Sequence, residues 1–290
     1  MTIHDHKFIC PHYAMSRDGV TCMECKGRKY GHAIRHKCIN GALAPSIVCS
    51  LEMLLHRLLR IYEKNVDLFI SPSRFLADNL SADGFMASAM MHIPNFTDTD
   101  LFTPSESVDD YVLYYGKIER PKGVHLLIEA VAELSKTRTV RCLMVGDGDD
   151  RPALEKNAGK SGGIEFLGRR SGAELRDIVR RARCVVVPSV CLENGSMVII
   201  ESMASGRPVV ASRSGGNPEY VADGVTGMLF TSGDAHDLAE KLVAVLADPA
   251  RADAMGRAGR KTAIERLSLK AHYEKIMVAY HAAIKAAGLR

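Results

Sequence analysis

The chain has 290 residues, 47% of them hydrophobic and 25% charged, which is too apolar for disorder and long enough for two modest domains. The net charge is +4 and basic residues alternate with acidic ones along most of the chain, which argues against a nucleic-acid groove, so no nucleic acid is expected as a partner. No apolar run approaches the roughly 20 residues of a membrane span, and no signal peptide opens the chain, so the expected location is the cytoplasm.

Near the start, Cys10, Cys22, Cys25 and Cys38 are spaced C-x11-C-x2-C-x12-C. Without a secretory signal, stable disulfides are not expected. One close pair with two flanking thiolates fits a tetrahedral structural zinc site, with His12, His32 and His36 as substitute ligands; free or redox-active thiols are the other reading. Cys49, Cys142, Cys184 and Cys191 read as small structural residues. Ser50–Asn65 (SLEMLLHRLLRIYEKN) has helical apolar spacing. It reads as core packing or, through Arg57 and Arg60, as a peripheral contact at the inner face of a membrane. Val66–Ile70 reads as a strand, followed by a Ser-Pro-Ser start to a helix. His92–Ser107 is rich in Pro, Asn, Asp, Thr and Ser and reads as a linker.

From Tyr111 onward strands and helices alternate. YVLYYG is a strand ending in glycine, and GVHLLIEAVAELSK a helix. VRCLMVGDGDD is a strand running into a Gly/Asp turn; it lacks the third glycine of a dinucleotide fingerprint. IEFLGRR is strand and turn, SGAELRDIVRRAR a helix with a Ser171/Glu174 capping box, and RCVVVPS and RPVVAS are buried strands. Asn217-Pro218 reads as N-cap and first helical residue, and Leu269–Ala287 as a last helix. Such alternation predicts an α/β fold with a parallel sheet covered on both faces, binding ligands beyond the carboxyl ends of its strands.

ENGSMVIIE places Glu193 and Glu201 eight steps apart, roughly 80° around a helix. They therefore do not share one helix face. Glu193 is expected in the loop after RCVVVPS and Glu201 inside a helix that starts near Ser196, capped by Asn194 or Ser196. An open helix start suits phosphate. Two acids flanking it suit two hydroxyl-bearing groups joined by a diphosphate, as in a nucleotide sugar. Two solvated carboxylates are the plain alternative. Lys117 and Lys122, each beside a glycine (Gly116 and Gly123), read as diphosphate cations or as exposed turn residues.

YYGKIERPKGVHLLIEA, LMVGDGDD, IEFLGRRSGAEL, VVVPSVCLENGSMVIIESMASGRPVVAS and SGGNPEYVADGVTGMLF follow one another in this order, and PNFTDTDLF precedes them. In this they resemble family 4 glycosyltransferases. The resemblance implies a GT-B fold of two Rossmann-like domains with parallel sheets, the N-terminal one incomplete here. It divides the chain into a partial acceptor-side domain with the cysteines and linker (1–105), a nucleotide-sugar donor domain (106–268) and a C-terminal helix (269–290). It implies a transferase, mostly retaining, that moves a sugar from a nucleotide-diphosphate donor to a saccharide or lipid-linked acceptor without a catalytic cofactor. Glu193 would hold donor-sugar hydroxyls and Glu201 the ribose. Lys117 and Lys122 would neutralise the diphosphate, with Gly116 beside them and with the backbone of Asn194, Gly195, Ser196, Met197 and Val198. Gly168 and Arg169 would meet the base, and His4 would be the active-site histidine near the reacting sugar. The family more often has arginine at the Lys117 position, which grips phosphate with two prongs rather than one, and glycine or proline at that of Ser196. Other readings are a non-catalytic nucleotide-sugar-binding fragment or one half of a two-chain enzyme, a sugar-nucleotide epimerase of the same fold, and a zinc-dependent nucleic-acid binder. The last lacks an aromatic-basic stripe.

Overall fold

The computed structural model describes residues 1–17, 19–85, 90–159, 163–286 and 288. The chain divides into two compact units, Met1–Pro94 with His272–Arg290, and Asn95–Ala271.

The first unit opens with an antiparallel pair, β1 (Ser16–Arg17) and β2 (Val20–Thr21), and a short helix α1 (Gly31–Arg35). Helices α2 (Leu43–Leu59) and α3 (Ile61–Asn65) follow, then β3 (Phe69–Ser71), α4 (Arg74–Ala82) and β4 (Met90–His92). Strands β3 and β4 are parallel, and Thr2 adds a parallel bridge to Ile70. Ser73 caps α4, its hydroxyl accepting from the Leu76 amide at 3.2 Å. The single helix expected over Ser50–Asn65 is instead two. The first starts at Leu43, and Arg60, in the left-handed region at φ 55°, ends it. That turn lets Glu63 return to Arg57, Nη1 to Oε1 3.4 Å. Arg57 is only 3% exposed, bound also to the Asp83 carbonyl at 2.7 Å, so it faces the interior and not a headgroup layer.

The second unit is a parallel α/β sheet. Its elements are β5 (Val112–Tyr115), α5 (Val124–Leu134), β6 (Cys142–Val145), α6 (Arg151–Ala158), β7 (Ile164–Gly168) and α7 (Gly172–Arg181). The second half continues with β8 (Cys184–Val187), α8 (Met197–Ala204), β9 (Val209–Ser212), α9 (Asn217–Tyr220) and β10 (Gly227–Phe230). Helices α10 (Ala235–Ala247) and α11 (Pro249–Arg266) close it, and α12 (Leu269–Ala286) runs from this unit into the first. Ala287, the expected last residue of α12, lies outside the described residues.

The strand order is β10-β9-β8-β5-β6-β7, with every neighbour parallel. Strands β5, β6, β8 and β9 are buried at every position, so alternate residues feed two cores. Val112 and Tyr114 pack with Leu127, Val131 and Leu242 on one face; Leu113 and Tyr115 pack with Val145, Val179 and Val185 on the other. Cys142 and Cys184 are buried among these apolar side chains, as small core residues.

The boundary falls at Pro94 and not after residue 105. Residues 95–105 are tied to the second unit by Arg260, whose Nη1 donates to the Thr99 and Phe102 carbonyls at 2.9 and 2.6 Å, and by the Thr97–Ser268 bridge. The C-terminal helix is not a separate piece: Ile276 and Ala279 pack on Ile70 and Ile93 of the first unit. Two caps also differ. Ser171 sits at the N-cap of α7 without a side-chain cap bond, and the Glu174 carboxylate pairs with Arg170 at 3.3 Å. Gly216 is the N-cap of α9, and Asn217, its first residue, turns inward to donate to the Ser212 carbonyl.

Candidate functional site

In this strand order the chain leaves β5 towards β6 and β7, and leaves β8 towards β9 and β10. A crevice opens at the carboxyl ends of β5 and β8, the place where open parallel sheets bind ligands. The loop after β5 carries Gly116 and Lys117, then a single 3-10 turn, Arg120–Lys122. Gly123 follows at φ 70°, and a Cβ there would overlap the Pro188 carbonyl. The loops after β5 and β8 therefore touch backbone to backbone, with the amides of Val190 and Cys191 donating to the Pro121 carbonyl at 3.0 and 3.1 Å. A Cβ on Gly215 would likewise overlap the Glu193 backbone, and the Gly216 amide donates to the Glu193 carbonyl at 2.6 Å. Three strand-end loops thus fix one residue, Glu193.

The Glu193 side chain is 14% exposed, and its Oε1 accepts from Lys122 Nζ at 2.8 Å and from Ser189 Oγ at 2.7 Å. Burial works against the charge on Lys122, but the Glu193 carboxylate outweighs it and leaves the ammonium pKa above its ordinary value. Ser196 occupies the N-cap of α8 without a side-chain cap bond, and the first turn holds no acidic residue. The helix end therefore presents amide N–H groups and a positive field to the crevice. Within α8, Glu201 Oε2 lies 3.2 Å from the Tyr115 hydroxyl, which is also 3.1 Å from the Val198 carbonyl and 3.2 Å from Ser202 Oγ. Burial raises the Glu201 pKa, and the Tyr115 hydrogen bond works the other way. Burial, then the Glu201 charge, pushes the Tyr115 hydroxyl well above its usual range.

Beside this lies a cleft of about 420 Å³ lined by Tyr115, Gly116, Lys117, Gly146, Asp147, Arg169 and Arg170. Lys117 is 73% exposed at its wall, 3.4 Å from Glu119. The two lysines thus occupy different settings: Lys117 lines the cleft and Lys122 is held by Glu193. Gly168 precedes Arg169, and its carbonyl accepts from the Gly146 amide at 2.9 Å. Gly195 is anchored through its carbonyl by Asn95 Nδ2 at 2.9 Å. Asn194 is half-buried, Met197 is exposed, and Val198 packs into the core, so Val198 offers the crevice only its backbone. His4 is exposed in the first unit, next to Ile3, whose amide donates to the Ile70 carbonyl.

The sequence reading missed Tyr115, Gly146, Asp147, Arg170 and Ser189. The signal was present: each lies at or just after the end of a strand, where an open parallel sheet places its ligands.

A parallel sheet with acids and cations at its switch point places the chain among the α/β proteins that hold a ligand beyond the carboxyl ends of their strands. Residues 100–262, more than half of the chain, match the family described as "Glycosyl transferases group 1", and the chain belongs to that family. It is 34% identical over 194 residues to D-inositol 3-phosphate glycosyltransferase of Segniliparus rotundus, covering 64% of this chain and 42% of that protein. It is 31% identical over 229 residues to the GDP-mannose-dependent alpha-(1-6)-phosphatidylinositol monomannoside mannosyltransferase of Mycolicibacterium smegmatis, covering 71% of this chain and 60% of that one. The chain spans about half the length of the curated relatives it matches. The Anabaena protein HepE, solved with UDP and glucose, has a TM-score of 0.70 at 23% identity, covering 79% of this chain and 66% of that one. The fold is the expected α/β arrangement of GT-B type.

Proposed function

We propose that this chain binds a nucleotide-diphosphate sugar at the β5/β8 crevice and serves glycosyl transfer, with retention at the anomeric carbon, to a saccharide or lipid-linked acceptor. The observation that carries this reading is the Lys122–Glu193 pair standing beside the uncapped start of α8. Glu193 holds sugar hydroxyls, Glu201 the ribose, and Lys122, Lys117 and the amides of Gly195 to Val198 the diphosphate. Gly168 and Arg169, on the far side of the cleft, meet the base. His4, in the first unit, is the candidate active-site histidine. Support comes from the relatives, whose names include a GDP-mannose-dependent enzyme with a phosphatidylinositol-type acceptor, and from HepE, solved with UDP.

In this reading the bond from the anomeric carbon to the diphosphate oxygen breaks as the acceptor oxygen enters on the same face. The departing oxygen takes the acceptor's proton. The protein then works by positioning and by stabilising the negative charge that grows on the diphosphate. Two ammonium groups and a helix end supply that field, and no catalytic metal is assigned. The work is done in the cytoplasm, at the inner membrane face where the acceptor is lipid-linked. Among the described residues no helix is long and apolar enough to cross a membrane.

Calorimetric titration with UDP-glucose, GDP-mannose, UDP and GDP tests the reading. Glu193→Ala should weaken binding of the nucleotide sugar while leaving that of the free nucleoside diphosphate no weaker, because the carboxylate touches the sugar. Unchanged affinity for every nucleotide sugar that the parent binds overturns it.

A further inference from the structure

Among the described residues of 5–42 in the first unit there is little regular structure beyond the two-residue strands β1 and β2 and the five-residue helix α1. Phe8, Ile9 and Met15 are buried near the start of this stretch, but around the cysteines the apolar cluster is small: Cys25, Tyr30, Ala33 and Met53, with Cys38 against it. Yet the backbone here is tightly specified. Among the described residues, five of the six non-glycine residues at positive φ lie in this stretch: Tyr13, Met15, Arg28, Lys37 and Asn40. Such conformations persist only where the surroundings over-determine them. A cluster of this size does not supply that constraint, and small loop-rich segments usually need a staple.

Cys10, Cys22, Cys25 and Cys38 line a single cavity of about 10 Å³. All four are free of disulfides. Cys25 lies within electrostatic reach of the other three, and Cys10 of Cys22. The backbone amides of His12, Met15 and Tyr13 are directed at the Cys10 sulfur and that of Ala33 at the Cys25 sulfur, as amides commonly are around a metal-bound sulfur. The cavity has room for about one water-sized sphere, enough for one ion and not for a cluster. Glu24, His32 and His36 also reach its wall. Their ligand atoms lie within 4.8 Å of one another, closer than any three of the four sulfurs, so the cysteines must draw together as an ion binds. They are more open, with side chains 30% to 40% exposed, and Arg17 already holds Glu24 at 2.7 Å.

We propose that Cys10, Cys22, Cys25 and Cys38 bind one Zn²⁺ as four thiolates, with Glu24, His32 and His36 forming a polar ring outside it, and that this metal fixes the fold of residues 5–42. An all-sulfur tetrahedral set selects zinc over harder cations. The close Cys22/Cys25 pair supplies two ligands from one turn, and Cys10 and Cys38 close the loops on either side.

Elemental analysis of the full chain, purified without chelator, should find about one zinc per chain. Cys22→Ser and Cys25→Ser should each lose most of it, and Cys49→Ser should keep it. Replacing zinc with cobalt(II) in the parent protein should give the intense visible bands of a tetrahedral site and a sulfur-to-cobalt charge-transfer band of four-thiolate strength. Should a variant fail to fold, the parent's metal content and cobalt spectrum still decide the matter. A metal-free parent, bound iron with acid-labile sulfide, or a cobalt spectrum of mixed nitrogen and sulfur ligation each overturns the proposal.

Discussion

The two units reach stability by different routes. In the second, a six-stranded parallel sheet is buried on both faces, and its strands and helices share three apolar clusters. In the first, β3 and β4 pair over three residues, and α2 leaves Leu51, Leu55 and Leu58 more than half exposed. What the first unit has in place of a broad sheet is a ring of edge-on aromatics, Phe8 with Tyr62, Phe69 and Phe85, and a buried charge network. Arg57, Glu63 and Asp83 carry side chains 3%, 5% and 1% exposed. Apolar cores lose stability in proportion to the cavity that a trimmed side chain leaves. Buried charges do not: removing one partner strands the other in a medium that cannot solvate it. Tolerance to substitution should therefore differ between the units more than their burial does.

The largest expected effect tests this directly. Arg57→Ala should destabilise the first unit by about 3–5 kcal/mol, the range for breaking a buried ion pair. Scanning calorimetry should show the first unit's transition moving down in temperature while the second unit's stays in place. One shared transition that shifts as a whole would abolish the distinction between the units. The next effect is catalytic and belongs to the second unit. Lys122→Ala should lower turnover about a hundredfold, equivalent to about 2.7 kcal/mol, because it removes a cation from the proposed leaving group. Turnover in a donor-saturated assay is the check. A fall confined to donor affinity, with turnover intact, would place Lys122 in uniform binding rather than in charge stabilisation.

The second unit was legible because a parallel sheet writes itself plainly. Its strands are short apolar runs ended by glycine or proline, and VLYY, CLMV, CVVV and VVAS stand where expected. The Glu193 site was legible for the same reason, since the loop follows such a strand. What could not be read locally depends on distant partners. The linker's attachment rests on Arg260, some 160 positions away, whose reach to Thr99 and Phe102 no local pattern records. The break at Arg60 comes from a buried charge network closing through Glu63 and Asp83, while helix periodicity runs on regardless. The Glu174 arm of the expected capping box is taken up by Arg170, a rival that the isolated motif does not weigh. The four cysteines were visible as a spacing, but only the fold shows that they share one cavity.

The smallest effects concern Glu201, and they separate a binding residue from a packing residue. Burial raises its pKa, so the folded chain binds the proton more tightly than the unfolded one does. The stability this group allows is therefore fully present at low pH and is lost as pH rises through the folded pKa. When ionised, the carboxylate carries a charge that burial disfavours and that the Tyr115 hydroxyl offsets. Glu201→Gln keeps the shape and removes the charge. Donor affinity should fall about tenfold, the loss expected for one charge-assisted hydrogen bond to a hydroxyl. Stability without donor should rise by less than about 1 kcal/mol at pH 7, and the gain should vanish as pH falls below the ordinary carboxylate pKa. Urea unfolding at the two pH values and donor titration measure both. Opposite signs in stability and affinity mark a group retained for its ligand at the expense of the fold; a loss in both would make Glu201 a structural acid serving Tyr115.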